Sequence, residues 1–246
     1  MEKVRLLTAG VFGTALLAAG VWFAPMPYLV EKPGPTLDVL GADVIAVTGA
    51  DVSASTGKLL LTTVEVTDVG GGADAVGAWF DDRRALVPRE AVFPAGQSDE
   101  QVQQVNQEAF ATSESTAIAV ALTEMGQPAG VRVSIDVREI GGPSAGLMLV
   151  LGIVDKLTPA DLTGGRVIAG TGEIRADGAV GPIGGIPQKL HGAKAAGAEF
   201  FLVPEGNCAE AAANPVPGLT LAKVATADDA LLALKTVTAG GVPAPC

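Results

Sequence analysis

The 246-residue chain has only one histidine, His191, and two cysteines, Cys208 and Cys246. That inventory excludes a multi-histidine or cysteine-rich zinc site, so no resident metal is expected. It also means that any Ser-His-Asp triad must use His191 or not exist. Aromatic residues are scarce (seven Phe, two Trp, one Tyr), so the core must be aliphatic. Basic residues are few, 16 against 27 acidic, and the net charge of −11 excludes the phosphate footprint of a nucleic-acid-binding protein. No G-x-x-x-x-G-K-[ST] frame occurs, so the chain encodes no P-loop for ATP. Charge of either sign is sparse while mean hydropathy is +0.41, which directs attention first to a membrane segment. The 32 glycines and 16 prolines are scattered between apolar runs, as in a fold with many tight turns. No internal repeat is evident.

No charged residue occurs from Leu6 to Val30, and Leu6–Ala24 reads LLTAGVFGTALLAAGVWFA. About 20 apolar helical residues span a bilayer core of ~30 Å. Trp22 and Tyr28 lie near the far end, where amphipathic aromatics favour the interface, and Pro25 and Pro27 stop a helix. Lys3 and Arg5 precede the run and the remainder is acidic, so the positive-inside rule places the N-terminus in the cytoplasm. The expectation is a single-pass cell-membrane protein, with a tail and anchor over residues 1–30 and an extracytoplasmic domain over residues 31–246. A cleaved signal peptide is the alternative. Ala18-Ala19-Gly20 is small enough to be cut, but the apolar run continues past it, which favours an uncleaved anchor. In an oxidising compartment, a Cys208–Cys246 disulfide would pin the last residue to the body, the alternative being two unrelated thiols.

Beyond the anchor, Pro33-Gly34-Pro35 reads as a turn, and Val44–Val47 and Gly57–Thr67 as strands. Ala78–Ala91 is charged and partly helical in pattern. A long helical pattern covers Ser98–Met125, with Ser113 or Ser115 as a possible cap for its later part. Val131–Val137 alternates as a strand, and Leu147–Leu157 is an apolar helix. Arg166–Glu173 and Ala179–Ile183 read as strands joined through Asp177-Gly178, a hairpin signal. A helix over Gln188–Ala198, a strand at Phe200–Val203 and a closing helix over Ala227–Val237 complete the pattern. Strands and helices interleave without a regular βαβ rhythm, so the expected class is α+β.

The chemistry concentrates at Ile140–Met148, IGGPSAGLM. Two glycines and a proline deliver Ser144 to the mouth of an apolar helix. There, free N–H groups and the dipole favour an oxyanion, so Gly142, Pro143, Ser144 and Ala145 can form nucleophile and oxyanion turn together. A serine capping a buried helix would look the same. Gly142–Gly146 also fits the G-x-S-x-G elbow of α/β-hydrolases, but His191 follows by only 47 residues, in a lysine-bearing helix, and no parallel-sheet pattern precedes it.

A serine without a usable histidine needs another base, and lysine is the usual substitute. Free lysine titrates near ~10.4, so acting as a base near pH 7 costs ~4 kcal/mol of differential solvation, which burial can supply. Carboxylates would oppose it. Of the lysines after Ser144, Lys156 adjoins Asp155, and Lys223 and Lys235 lie in ordinary amphipathic contexts. Lys189 lies in a window, Gly178–Ala198, that contains no Asp or Glu. Lys194 shares the window but lies about 140° further round a helix, so the two should not both point inward.

GGPSAG around Ser144, TGEI at Thr171–Ile174 and GPIGGIPQKL at Gly181–Leu190 resemble the proteolytic domain of Lon proteases, as does AEFFLVPE at Ala198–Glu205. The resemblance covers residues 113–237. It implies the Lon proteolytic fold, with Ser144 as nucleophile, Lys189 as general base and Thr171 orienting the lysine. The anchor, Pro33-Gly34-Pro35, Leu59–Val64 and the terminal cysteines resemble the membrane-anchored, secreted Lon-like proteins. Two departures stand out. Cytoplasmic Lon usually has Asp three residues before the serine, where this chain has Gly141. The anchored family usually carries a PDZ domain where this chain has only Gly126–Gly130.

Together these features predict an anchored, ATP-independent serine endopeptidase that needs no cofactor and acts on flexible or unfolded protein or peptide substrates. The resemblance also implies self-association into a ring. The rival is an anchored, catalytically silent scaffold retaining the fold for protein binding.

Overall fold

The computed structural model describes Gly20, Trp22, residues 26–137 and residues 140–246. Apart from Gly20 and Trp22, the expected anchor Leu6–Ala24 lies outside the described residues. Among the described residues, no helix is long and apolar enough to cross a membrane. The chain divides into two compact units. One comprises residues 1–32 and 65–96, the other residues 33–64 and 97–246.

In the smaller unit, the start of strand β1 (Tyr28–Asp38) pairs antiparallel with β4 (Ala85–Pro88), Tyr28 opposite Pro88 and Glu31 opposite Ala85. Helix α1 covers Gly72–Trp79 and the single turn α2 covers Arg89–Val92. The expected partial helix over Ala78–Ala91 is thus a helix end, a strand and one turn. Ion pairs Lys32–Glu65 and Arg89–Asp68 are surface pairs, worth little individually.

In the larger unit, strands β3 (Lys58–Asp68), β6 (Val167–Gly170), β9 (Phe200–Pro204) and β10 (Thr220–Val224) run parallel in the order β10-β9-β6-β3, with β1 beyond β3. Antiparallel pairs β2 (Ile45–Thr48) with β5 (Arg132–Ile135) and β7 (Glu173–Ile174) with β8 (Val180–Gly181) lie apart from it. Four consecutive residues of β3, Leu59–Thr62, are buried, as a strand covered on both faces requires. Leu59, Leu61, Ile168 and Leu202 join one apolar cluster, while Leu60, Ala169 and Phe201 join the other. Helices α3 (Asp99–Glu124), α4 (Gly146–Leu157) and α7 (Ala227–Thr238) cover the first face. Helices α5 (Ile186–Ala195) and α6 (Cys208–Ala213) cover the second. The expected mixture of helices and strands is therefore layered, with parallel strands between two helical faces.

Several local expectations change. Pro33-Gly34-Pro35 lies inside β1 rather than in a turn. Proline's fixed φ suits extended chain, and a Cβ on Gly34 would fall 2.3 Å from Thr63 Oγ1, so glycine admits the close approach of β3. Helix α3 is continuous over 26 residues, so Ser113 and Ser115 lie inside it. Its cap is Ser98, whose Oγ accepts from Gln101 N–H while Gln101 Oε1 accepts from Ser98 N–H. The hairpin at Asp177-Gly178 joins β7 to β8, and β6 belongs to the parallel sheet instead.

Candidate active site

Ser144 lies in a single 3-10 turn, Pro143–Ala145, that feeds directly into α4. Gly142 enters it at φ 83°, ψ 163°, a backbone region in which only glycine is unstrained. The turn is fastened from two sides. On one, α3 contributes the Asn106 carbonyl, which accepts from Gly142 N–H at 2.8 Å. It also contributes Ser113 Oγ, which donates to the Pro143 carbonyl at 3.0 Å. On the other, Gly172 N–H donates to the Ser144 carbonyl at 2.9 Å and Leu147 N–H donates to the Gly172 carbonyl at 3.0 Å.

Thr171 and Lys189 complete a chain of contacts to the same turn. Thr171, fully buried, follows β6. Its Oγ1 donates to the Ser144 carbonyl at 3.1 Å and accepts from Lys189 Nζ at 3.0 Å. Lys189 is 3% exposed, on the first turn of α5, with its N–H bonded to the Gly185 carbonyl at 3.0 Å. Gly185 caps that helix at φ 71°, and a Cβ there would meet Val64 Cγ1 at 2.5 Å. Lys194 points elsewhere and donates to the Gly218 carbonyl at 2.7 Å, as the helical angle between the two lysines requires. The structure thus gathers Gly142, Pro143, Ser144, Ala145, Thr171 and Lys189 into one contact network, although 45 residues separate Ser144 from Lys189.

Lys189 Nζ is thus held inside the protein, with Thr171 Oγ1 as an acceptor. The serine is only partly buried, so one side of the turn stays open to an incoming chain. Beside it, α3 and the segment before the turn enclose a groove of about 660 Å³. Gln103, Asn106, Gln107 and Phe110 line one wall, and Val137, Ile140 and Gly141 the other. Among the described residues, no three His, Cys, Asp or Glu side chains gather as a metal site needs.

Sequence reasoning missed the supporting residues. Ser113 reads as a cap candidate but ties α3 to the turn. Asn106 lends only its backbone carbonyl to Gly142, which no side-chain pattern announces. Asn207, 6% exposed, accepts from Ile183 N–H and donates to the Ile183 carbonyl, both at 2.9 Å, and so clamps the loop that leads into α5. At Cys208 the disulfide to Cys246 is formed, as expected.

A family model described as the Lon protease (S16) C-terminal proteolytic domain matches residues 102–233. The chain is 40% identical over 93 residues to the Lon protease of Azospirillum brasilense, covering 37% of this chain and 11% of that protein. It is 42% identical over 76 residues to Lon protease 2 of Thermus thermophilus, covering 31% and 9%. Against Lon protease 2 of Bacillus subtilis it is 36% identical over 94 residues, covering 37% and 16%. The chain therefore spans less than a fifth of the length of these curated relatives.

Proposed function

Because the chain belongs to the Lon protease (S16) C-terminal proteolytic domain family, we propose that it is a serine endopeptidase in which Ser144 and Lys189 act as a dyad. The observation that carries this reading is the line Lys189 Nζ, Thr171 Oγ1, Ser144 carbonyl, with its 3.0 and 3.1 Å contacts. The Thr171 hydroxyl proton is committed to the Ser144 carbonyl, so its lone pairs face Lys189. In this reading Lys189 works as a neutral amine that donates one N–H to Thr171 Oγ1 and turns its lone pair towards Ser144 Oγ.

Ser144 Oγ attacks the scissile carbonyl as its proton passes to Lys189. The N–H groups of Ser144 and Ala145, at the mouth of α4, stabilise the oxyanion; Pro143 has none to offer. Collapse of the tetrahedral adduct breaks the C–N bond, and the Lys189 ammonium returns its proton to the leaving amine. Neutral Lys189 then takes a proton from water, whose oxygen attacks the acyl-enzyme and frees Ser144. The groove along α3 would hold the peptide chain beside the serine.

With no P-loop in the chain, substrates would be flexible or unfolded polypeptides cleaved without ATP. Leu6–Ala24 would be a single transmembrane anchor with the catalytic unit extracytoplasmic. The disulfide supports that placement, since such bonds persist in oxidising compartments. Self-association into a homo-oligomeric ring follows from the family resemblance and is open to light scattering.

The test is cleavage of casein by the full chain, with and without ATP, against Ser144→Ala and Lys189→Arg. Arginine keeps the length and charge but does not deprotonate. Both variants should fall to background, and ATP should change nothing. Equal activity in all three proteins would leave a non-catalytic binding protein as the reading.

A further inference from the structure

Helix α1 presents an uncharged face to solvent. Val76 and Trp79 lie on one side of the helix, with Phe80 at its end, spaced i, i+3, i+4. They are 49%, 77% and 82% exposed. The opposite side carries buried Ala78, and Asp74 pairs there with Arg84 and accepts from Gly70 N–H at 2.9 Å. So large an exposed aromatic pair, in a chain with only ten aromatics, marks a contact surface.

The same face is continued by Trp22. Gly72 precedes Val76 by one helical turn, and a Cβ on Gly72 would lie 3.2 Å from Cδ2 and Cε3 of the Trp22 indole. Glycine therefore seats the indole against the start of α1, in line with Val76 and Trp79. Trp22 is also two residues from the end of the uncharged run Leu6–Ala24. Wherever that run leaves a bilayer, α1 starts beside it, and Trp79 lies only about 10 Å further along the helix. The interfacial layer is where an indole with an apolar body and a polar N–H settles.

We propose that α1 is a membrane-contacting helix whose Val76, Trp79 and Phe80 enter the lipid interface, forming with Trp22 one apolar footing for the smaller unit. This rests on the reading of Leu6–Ala24 as an anchor. The partner is the bilayer itself rather than an anionic headgroup. The stripe carries no charge, and Arg83 and Arg84 are engaged by Asp81 and Asp74. Contact should therefore persist on zwitterionic lipid and in high salt.

The chain has two tryptophans, so Trp22→Phe leaves Trp79 as the sole indole and Trp79→Phe leaves Trp22. Each full-length variant is reconstituted into phosphatidylcholine vesicles with or without acyl chains brominated near the headgroup. Trp79 emission should be blue-shifted and fall to about half or less with brominated lipid, as expected at the interface, and remain so in high salt. Adding Val76→Glu and Phe80→Glu should abolish the quenching while circular dichroism is retained. Quenching of Trp22 but not of Trp79 would overturn the proposal and leave the anchor standing. A blue-shifted but unquenched Trp79 would overturn it in favour of a protein contact. Failure of the chain to float with vesicles would overturn both the anchor and the footing.

Discussion

At the scale of single residues, Thr171 is the most informative position, because one hydroxyl serves two partners. Replacing it with valine keeps shape and burial but strips the acceptor from Lys189 and the donor from the Ser144 carbonyl. The carbonyl retains Gly172 N–H at 2.9 Å, so the turn should persist, whereas the lysine loses a positioned contact. One buried hydrogen bond contributes about 0.5–1.5 kcal/mol. Thr171→Val should therefore lower kcat for peptide cleavage by up to about tenfold, about 1.4 kcal/mol per decade, with KM little changed. Thr171→Ser should retain most of the activity. Equal loss in both would assign Thr171 to packing alone. Ser144, Lys189 and Thr171 were legible in the sequence because each sits in a short glycine-bearing motif. Ser113 and Asn207 were not, since their bonds to the site's loops go to backbone atoms 24 to 30 residues away.

At the scale of elements, α4 has a different task at each end. Its first residue, Gly146, faces α3 and β7, and a Cβ there would lie 2.6 Å from Ile174 Cγ2 and 2.7 Å from Ser113 Oγ. Helix propensity alone favours alanine over glycine by about 1 kcal/mol. The Ile174 backbone nitrogen at 3.0 Å from that Cβ leaves little room to yield, and overpacking of this kind costs about 1–3 kcal/mol. Gly146→Ala should therefore lower the melting temperature and displace the Ser144 turn, and a gain in stability would show the site to be softer. At the other end Asp155, 1% exposed, accepts from Ser55 Oγ and from Leu162 N–H at 3.0 Å. Burial pushes its carboxyl above the usual range despite those bonds. The native state then holds the proton more tightly than the unfolded chain, so this group's contribution falls as pH rises from the unfolded value of about 3.9 through the raised native one. Asparagine can keep both contacts without the charge. Asp155→Asn should thus be more stable than the parent at neutral pH, with the difference vanishing towards acid in thermal melts; parallel melting profiles would refute the assignment. The apolar run of α4 was readable, as was the strand alternation of β5. Strand β10, helix α6 and the strand through Pro33-Gly34-Pro35 were not. Their short segments carry no clear period, and partner strands decide their conformation.

At the scale of the whole molecule, the two cysteines close the larger unit. Beyond α7 the last residues return to the sheet, where the Ala244 carbonyl accepts from Lys223 N–H at 2.8 Å on β10, the outermost parallel strand. Cys246 then bonds to Cys208 at the start of α6, closing a loop with a sequence separation of 38. The pairing was legible because the sequence has just two cysteines, but the tail's lodging on an open strand edge depends on a sheet order that no local pattern reveals. Loop entropy gives the bond about 4 kcal/mol, an upper figure because an unfolded chain with residual structure gains less from the constraint. For a protein of this size that corresponds to roughly 8–15 °C in melting temperature. The edge also matters, since an uncovered outer strand is a template for pairing with another chain. Reduction, or Cys246→Ser, should therefore lower the melting midpoint by up to that amount. It should speed amide exchange at Lys223 far more than at Ile168 in the central strand β6, and raise aggregation near the midpoint. Loss of stability with uniform acceleration of both amides would mean that the bond acts through chain entropy alone, and that the tail does not guard β10.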